Sequence, residues 1–155
     1  LSSKGSFDGG SLEGWTQTFQ VNTLAPWKIT STLLNSSKIR NAGKLFFISS
    51  SISGKLSQQA YACSKAALNK MVDDLSRASA HYGVEFCLID PGWISTDMGG
   101  EQAPESVESL FPGTIFPACS AHSCNGSWIS VQDYRDCSIE EAIARAYQLG
   151  DLGEV

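Results

Sequence analysis

The sequence predicts an α/β fold with a parallel sheet, and three observations support this prediction. Two short apolar runs, at residues 44–49 and 84–90, have the length and composition of buried strands. Between them, from Tyr61 to about Tyr82, apolar residues recur at helical spacing. Strands separated by so long a helix pair in parallel, with the helix crossing over the sheet. The 155 residues, 42% hydrophobic and 17% charged, suffice for one globular domain.

The first half of the chain gives the boundaries of these elements. Residues 1–12 are rich in Ser and Gly and are predicted to form a loop. Apolar residues then recur at helical spacing from Glu13 to about Asn35, and Pro26 predicts a kink or break within that helix. Gly83 is placed to end the long second helix in a left-handed cap.

The second half is predicted to be a long loop, a strand and a helix. Residues 93–117 are rich in Gly, Pro, Ser and Glu, which is typical of a loop, and a last short strand is predicted within 126–134. Ser138 and Glu141 have the spacing of a capping box, and Gly150 can end the helix that they begin.

Charge and composition argue against several classes of protein. The net charge of -5 makes nucleic acid an unfavourable partner. Because no apolar run approaches the roughly 20 residues of a membrane span, no membrane association is predicted. Five irregularly spaced cysteines indicate reduced thiols and a cytoplasmic location. Cys119, His122 and Cys124 lie close in sequence, but no fourth ligand has suitable spacing, so no metal site is predicted.

Polar residues collect at the ends of both predicted strands. Ser49–Ser51 follow the first strand, and Pro91–Thr96 follow the second. Because parallel sheets bind ligands at the carboxyl ends of their strands, these residues mark the expected ligand site.

Tyr61 and Lys65 are the candidate catalytic pair. Residues four apart lie on the same side of a helix, so the Lys65 ammonium is expected one turn from the phenol and should lower its pKa. A hydroxyl such as that of Ser51 could then hold a carbonyl oxygen beside the phenol. The alternative is that the spacing is an accident of a helix surface, which is common for this pair of residue types.

Four motifs in order resemble the short-chain dehydrogenase/reductase family, over about residues 13–131. They are the Tyr-x-x-x-Lys segment "YACSK", the asparagine helix "FQVNTLAPW", the serine strand "FFISSSISG" and the Pro-Gly segment "IDPGWISTDMGG". The segments "SKAALN" and "PGWISTDMGG" are most similar to the family's small carbonyl reductases related to C-factor and sniffer proteins.

The resemblance implies a role for each matched catalytic position. Tyr61 would be the general acid in carbonyl reduction, and Lys65 would lower its pKa and bind the nicotinamide ribose. Ser51 would polarise the substrate carbonyl. Asn22 would hold a water that connects Lys65 to solvent.

The serine assignment leaves alternatives open. The family pattern of a serine followed by glycine favours Ser51, but Ser49, Ser50 and Ser53 compete, because the loop before Tyr61 is shorter than is usual in the family.

The resemblance also implies a cofactor, NADP or NAD, and a small carbonyl or alcohol substrate. Tyr61 and Lys65 would contact the cofactor from the helix. Its nicotinamide side would be lined by Pro91, Gly92, Ile94 and Thr96.

The implied architecture is a partial Rossmann-type doubly wound parallel sheet, the second half of a reductase domain. Residues 1–155 would form one incomplete domain, with its catalytic half at 13–131 and an atypical helical tail at 132–155. The family's Gly-rich cofactor-binding turn has no match in the sequence, so the chain is expected to be a fragment that binds the cofactor poorly. The complete protein would be a homo-oligomer. The alternative is a truncated, non-catalytic signalling or interaction protein of the same fold.

Overall fold

A three-stranded parallel sheet is the centre of the computed structural model, which describes residues 10–36, 43–52 and 58–154. In order across the sheet, the strands are β1 (Gly43–Ile48), β2 (Val84–Asp90) and β3 (Trp128–Ser130). β2 pairs in parallel with both neighbours, which confirms the predicted α/β fold.

Helices precede and follow each strand. They are α1 (Leu12–Phe19), α2 (Ala25–Leu34), α3 (Gln59–Arg77), α4 (Ser79–Tyr82), α5 (Phe116–Cys119) and α6 (Ile139–Leu149). A π-helical turn at Gln20–Leu24 joins α1 to α2, and 3-10 turns lie at Val107–Leu110 and Val131–Tyr134. Among the described residues, no helix combines the length and the apolar composition needed to cross a bilayer.

The predicted break near Pro26 takes the form of a wider helical turn. Ala25 donates its N–H to the Gln20 carbonyl, five residues back rather than four. Pro26 then lies in the first turn of α2, directly after the π-helical turn, whose wider winding accommodates a residue without an N–H. The helix therefore continues past the proline with a change in winding, in the stretch that carries Asn22.

Apolar side chains of β2 alternate between two cores, one on each face of the sheet. Phe86 and Leu88 belong to the first core, and Cys87 and Ile89 belong to the second. The first core is completed by Leu34 of α2, by Phe47 and by the α3 residues Leu68 and Val72. The second includes Phe116 of α5, Ile129, Val131 and Tyr134, and the α6 residues Ala142 and Ala146. Helices therefore cover both faces, as in a doubly wound sheet.

The C-terminal helix is an integral part of the second core. Ala142 and Ala146 are fully buried, and Leu152 beyond the helix is also buried. The Tyr134 hydroxyl, fully buried after β3, donates a hydrogen bond to the Asp151 carboxylate. Burial and this bond raise the pKa of Tyr134. The helix Ile139–Leu149 therefore packs on the chain's own sheet.

The predicted capping residues lie at helix ends, but the single helix predicted from Tyr61 to about Tyr82 is two helices in the structure. α3 ends at Arg77 and α4 begins at Ser79, because the backbone of Ala78 leaves the helical conformation. The Ser138 hydroxyl accepts the Glu141 N–H, and the Glu141 carboxylate accepts the Ser138 N–H, which completes the capping box of α6. Gly150 follows the helix with φ of 83°. Gly83 follows α4 with φ of 64°, a conformation that glycine adopts without strain.

The last strand is shorter than predicted. Only Trp128–Ser130 pairs with β2, and Val131–Tyr134 turns away as a 3-10 helix. Val131 and Tyr134 are both fully buried. Since their spacing of three places them on one side of a 3-10 turn but on opposite faces of a strand, burial of both favours the turn.

Lys44 ties the start of β1 to the loop after α5. Its Nζ atom donates to the carbonyls of Pro117 at 3.2 Å, Ser120 at 2.9 Å and His122 at 2.9 Å, and it lies 3.8 Å from the Glu85 carboxylate. All three of its protons can thus be donated to backbone carbonyls.

Candidate active site

Two strand ends meet at the carboxyl edge of the sheet. The Ser49 N–H continues the ladder past β1 by donating to the Ile89 carbonyl at 2.8 Å. The Ser49 hydroxyl points inward, donates to Asn69 Oδ1 on α3 and is 1% exposed. Asp90, the last residue of β2, is also buried, with 5% exposure. These contacts fix the backbone from which the candidate catalytic serine projects.

Ser50, which the sequence left open as an alternative to Ser51, is the serine whose side chain lowers the pKa of Tyr61. The Ser50 hydroxyl also accepts the Ile52 N–H at 3.2 Å. Ser51 is exposed, and Ser53 lies outside the described residues. The family pattern favoured Ser51 but left Ser49, Ser50 and Ser53 open, so the choice among them stays a prediction.

Tyr61 and Lys65 occupy the first two turns of α3 and lie together as their spacing predicts. The Lys65 Nζ atom is 5.6 Å from the centroid of the Tyr61 ring. It donates a hydrogen bond to the Ile48 carbonyl at 2.8 Å, at the end of β1. The strand end therefore holds the ammonium beside the phenol ring.

The predicted lowering of the Tyr61 pKa is not found in this structure. Burial raises the pKa of Tyr61, the hydrogen bond with Ser50 lowers it, and the negative charge of Asp90 raises it further. Burial also lowers the pKa of Lys65. The loss of water around the phenol therefore outweighs the effect expected from an ammonium that is directed at a backbone carbonyl.

Asn22 lies in the π-helical turn and reaches α3 through a buried serine. Its amide donates to Ser64 Oγ at 3.0 Å, and Ser64 Oγ donates to the Tyr61 carbonyl at 2.7 Å. Thr23 donates to the Ser64 carbonyl at 3.0 Å. Ser64 is fully buried and fixes the turn of α3 that carries Tyr61 and Lys65. Its sequence context, a small residue within a helix, gave no signal of this role.

Asn22 and Lys65 also line a common groove of about 320 Å³ beside β1. The other residues of its wall come from the π-helical turn, α2, β1 and α3; they are Val21, Pro26, Ile29, Thr30, Leu33, Leu45, Phe46, Phe47, Ile48 and Leu68. The groove is therefore mostly apolar, and its polar side chains are those of Asn22, Thr30 and Lys65.

Asp90, Pro91 and Gly92 form a tight turn at the end of β2. The Gly92 N–H donates to Asp90 Oδ1 at 3.0 Å, and Gly92 has φ of 81°. A side chain at Gly92 would be strained, so the turn presents bare backbone at this edge of the sheet. Asp90 was not among the predicted site residues, although a carboxylate that ends an apolar run is a visible signal in the sequence.

The two further predicted residues of this segment have different environments. Ile94 is buried and pairs with Glu105 across the loop. Thr96 is exposed, and its hydroxyl accepts the Gly99 N–H at 3.1 Å. The segment is therefore an ordered loop beyond the site, in which Pro91 and Gly92 lie nearest to the strand end.

Comparison with known proteins agrees with this arrangement. The family model for short chain dehydrogenase matches residues 2–106. C-signal of Myxococcus xanthus is 34% identical over 103 residues, which cover 61% of this chain and 62% of C-signal.

Two solved structures share the fold. The carbonyl reductase Sniffer of D. melanogaster has a TM-score of 0.63 at 23% identity and covers 83% of this chain and 58% of its own. A short-chain dehydrogenase/reductase from Burkholderia multivorans with bound NADP has a TM-score of 0.61 at 26% identity, over 72% of this chain and 49% of that one.

This chain thus spans 49% to 62% of the lengths of these three proteins. The match to the family model extends over more than half of the chain, and the fold and motif order agree with it. The predicted resemblance is therefore confirmed, and the chain belongs to the short-chain dehydrogenase family.

Proposed function

We propose that the whole protein carrying this chain is an NAD(P)-dependent oxidoreductase that interconverts a carbonyl compound and an alcohol. One observation carries the proposal: Tyr61 and Lys65 lie together on α3 at the carboxyl edge of the sheet, where the Lys65 ammonium is beside the phenol ring and bonds to the Ile48 carbonyl just before the serines that follow β1. An acid, a second hydroxyl donor and a cation are the groups that carbonyl reduction requires.

The residues present fit the nicotinamide end of the cofactor. When bound, NADP or NAD supplies or accepts the hydride. The Pro91–Gly92 turn, held by Asp90, presents its backbone at the strand end, where a flat ring could lie against it. We propose that Pro91 and Gly92, together with Ile94 and Thr96 on the following loop, hold this end of the cofactor. Tyr61 and Lys65 would contact it from α3.

Tyr61 is proposed to donate a proton to the substrate oxygen during reduction. Its raised pKa keeps the phenol protonated at neutral pH, which is the form that a general acid needs. Ser50, in preference to Ser51, would donate a hydrogen bond to the same oxygen and polarise the carbonyl.

Lys65 and Asn22 are proposed to serve the proton supply of the phenol. Both line the groove beside β1, which supports a proton path from the ammonium towards solvent along this groove. Asn22 also fixes α3 through Ser64, so its replacement is expected to disturb both the path and the position of Tyr61.

The loop beyond Thr96 favours a small, neutral substrate. Large apolar side chains are exposed there; Met98 is 87% exposed and Phe111 53%, and Trp93 just before the loop is 50% exposed. The loop also carries the acidic residues Asp97, Glu101 and Glu108, which would repel an anionic substrate.

The test is replacement of Tyr61 by Phe in the whole protein, with NADPH oxidation followed over a panel of aldehydes and ketones. Turnover should fall by about 10²–10⁴-fold, the contribution that general acid catalysis typically makes. NADPH binding, measured by its fluorescence, should be retained. Tyr147→Phe on α6, at a half-exposed position, is the matched control and should leave turnover unchanged. Turnover that survives Y61F would refute the assigned acid.

Membership of the family also supports a homo-oligomeric whole protein, and exposed apolar residues of the π-helical turn and α2 are consistent with one. Leu24 and Trp27 are each 54% exposed. Light scattering of the whole protein would test it, because a monomer over the working concentration range contradicts this part of the proposal.

A second candidate function is a non-catalytic signalling or interaction role. It is favoured by the exposed apolar residues around the groove, where Val21 is 64% exposed, Ile29 61% and Ile48 50%, and by the similarity to C-signal. A wild-type protein that neither binds NADPH nor reduces any compound of the panel would favour this role over the enzyme.

A further inference from the structure

Gln132 lies at the proposed active-site edge but belongs to none of the four motifs. Ser130 of β3 pairs with Asp90 of β2, and Gln132 follows two residues later in the 3-10 turn. The third strand therefore brings this amide to the same edge of the sheet as the Pro91–Gly92 turn.

The Gln132 amide joins two separate stretches of the loop. Its Nε2 atom donates to the Pro91 carbonyl at 2.8 Å and to Ser109 Oγ at 3.1 Å. Its Cγ atom lies 3.1 Å from the point where a side chain on Gly92 would begin. The Pro-Gly turn is thus held by a hydrogen bond on one residue and by close packing on the next.

The amide oxygen of Gln132 indicates that this side chain is not there for stability alone. Its Oε1 atom is buried and has no hydrogen-bond partner among the described residues. A buried acceptor without a donor costs free energy that an apolar side chain of the same length would avoid. The donor group, in contrast, has two well-placed acceptors.

A second contact from the same turn holds the loop at another point. Arg135 Nη1 donates to both carboxylate oxygens of Glu105, at 3.0 and 3.1 Å. The Glu105 carbonyl in turn accepts the Ser95 N–H at 2.8 Å. The 3-10 turn after β3 and the residue that follows it therefore contact the loop at its start, through Pro91, and near its end, through Glu105 and Ser109.

We propose that Gln132 is a positioning residue that holds the Pro91–Gly92 turn and the Ser109 stretch in the arrangement needed for turnover. Its effect on turnover rests on the proposed function, because Pro91 and Gly92 are assigned there to the nicotinamide end. The contact itself depends on geometry alone.

The test is Gln132→Met in the whole protein, which keeps the length of the side chain and removes its donor. We expect kcat to fall about ten- to a hundredfold, as for misplacement of reacting groups by about 1 Å, with a smaller change in KM for the carbonyl substrate. The thermal midpoint should change little, because the unpaired oxygen is removed together with the donor. Gln148→Met, at an exposed position on α6, is the matched control and should behave as wild type.

Hydrogen exchange of the loop gives a readout that does not need activity. The Ser95 amide and peptides from 93–111 should exchange faster in Q132M than in the wild type and in Q148M. Faster exchange supports the positioning contact even in a protein without turnover, in which case only the proposed function fails. Unchanged exchange in Q132M would overturn the inference, as would full kcat in an active enzyme.

Discussion

Ser50→Ala is the substitution that most directly tests the assignment of the serine. Ser50 provides the hydrogen bond that lowers the pKa of Tyr61, against the opposing effects of burial and of Asp90. Its loss should therefore raise the phenol pKa further and weaken the phenol as an acid. It should also remove the proposed donor to the substrate oxygen.

The expected loss of kcat follows from removal of the donor to the substrate oxygen. Removal of one hydrogen-bond donor to a developing oxyanion lowers kcat by about 10²–10³-fold, or about 2.7–4 kcal/mol. The fold should be nearly unaffected, because Ser49 keeps its bonds to Ile89 and Asn69 and holds the end of β1 in place. We expect a loss of at most about 1 kcal/mol in the free energy of unfolding.

The assay is steady-state NADPH oxidation by the whole protein, with Ser51→Ala as the matched control one residue away. Since Ser51 is exposed, its variant should retain wild-type kcat within about twofold. The reverse outcome, a large loss in S51A and near-normal turnover in S50A, would show that the proposed serine assignment is wrong.

Three further predictions concern charge and stability. Asp90→Asn removes a negative charge that raises the pKa of Tyr61, so this pKa should fall. In pH–rate profiles, the alkaline limb for carbonyl reduction and the acid limb for alcohol oxidation should then both move to lower pH, and limbs that do not move would contradict the effect of Asp90. Lys44→Met should lower the free energy of unfolding, measured in urea, by about 1–3 kcal/mol, because three carbonyls lose their donor. The control Lys70→Met removes an exposed ion pair and should cost at most about 1 kcal/mol. Equal losses in the two variants would refute the stabilising role of the Lys44 contacts. Tyr134→Phe should cost about 1.5–3 kcal/mol by removing the bond to Asp151, and an unchanged melting temperature would count against it.

The sequence alone was sufficient for the main elements of the fold. The run from Val84 to Asp90 is a strand in the structure, as predicted, because seven consecutive residues of mostly apolar character suit a central strand covered on both faces. Helix ends at Gly83 and Ser138 were predictable for a similar reason, since caps depend on local backbone geometry and on side chains a few residues apart.

The arrangement of the candidate pair, Tyr61 and Lys65, was partly predictable. Helical spacing placed Lys65 beside Tyr61, but the direction of the phenol pKa depends on burial and on Asp90, which approaches from another strand. Ser64 and Gln132 carried no signal in the sequence, because each acts through contacts with residues about 40 positions away.

Local periodicity and capping thus determined the α/β class, the order of the elements and the closeness of a phenol and an ammonium on one helix. Only the tertiary structure decided which serine lowers the pKa of the phenol, that the last helix covers the second face of the sheet, and that an amide after the third strand clamps the Pro-Gly turn. The physical reason is that these features arise where separate strands end at one edge or where separate helices compete to cover one face. Their outcome is set by contacts between elements and not by the spacing of residues within any one of them.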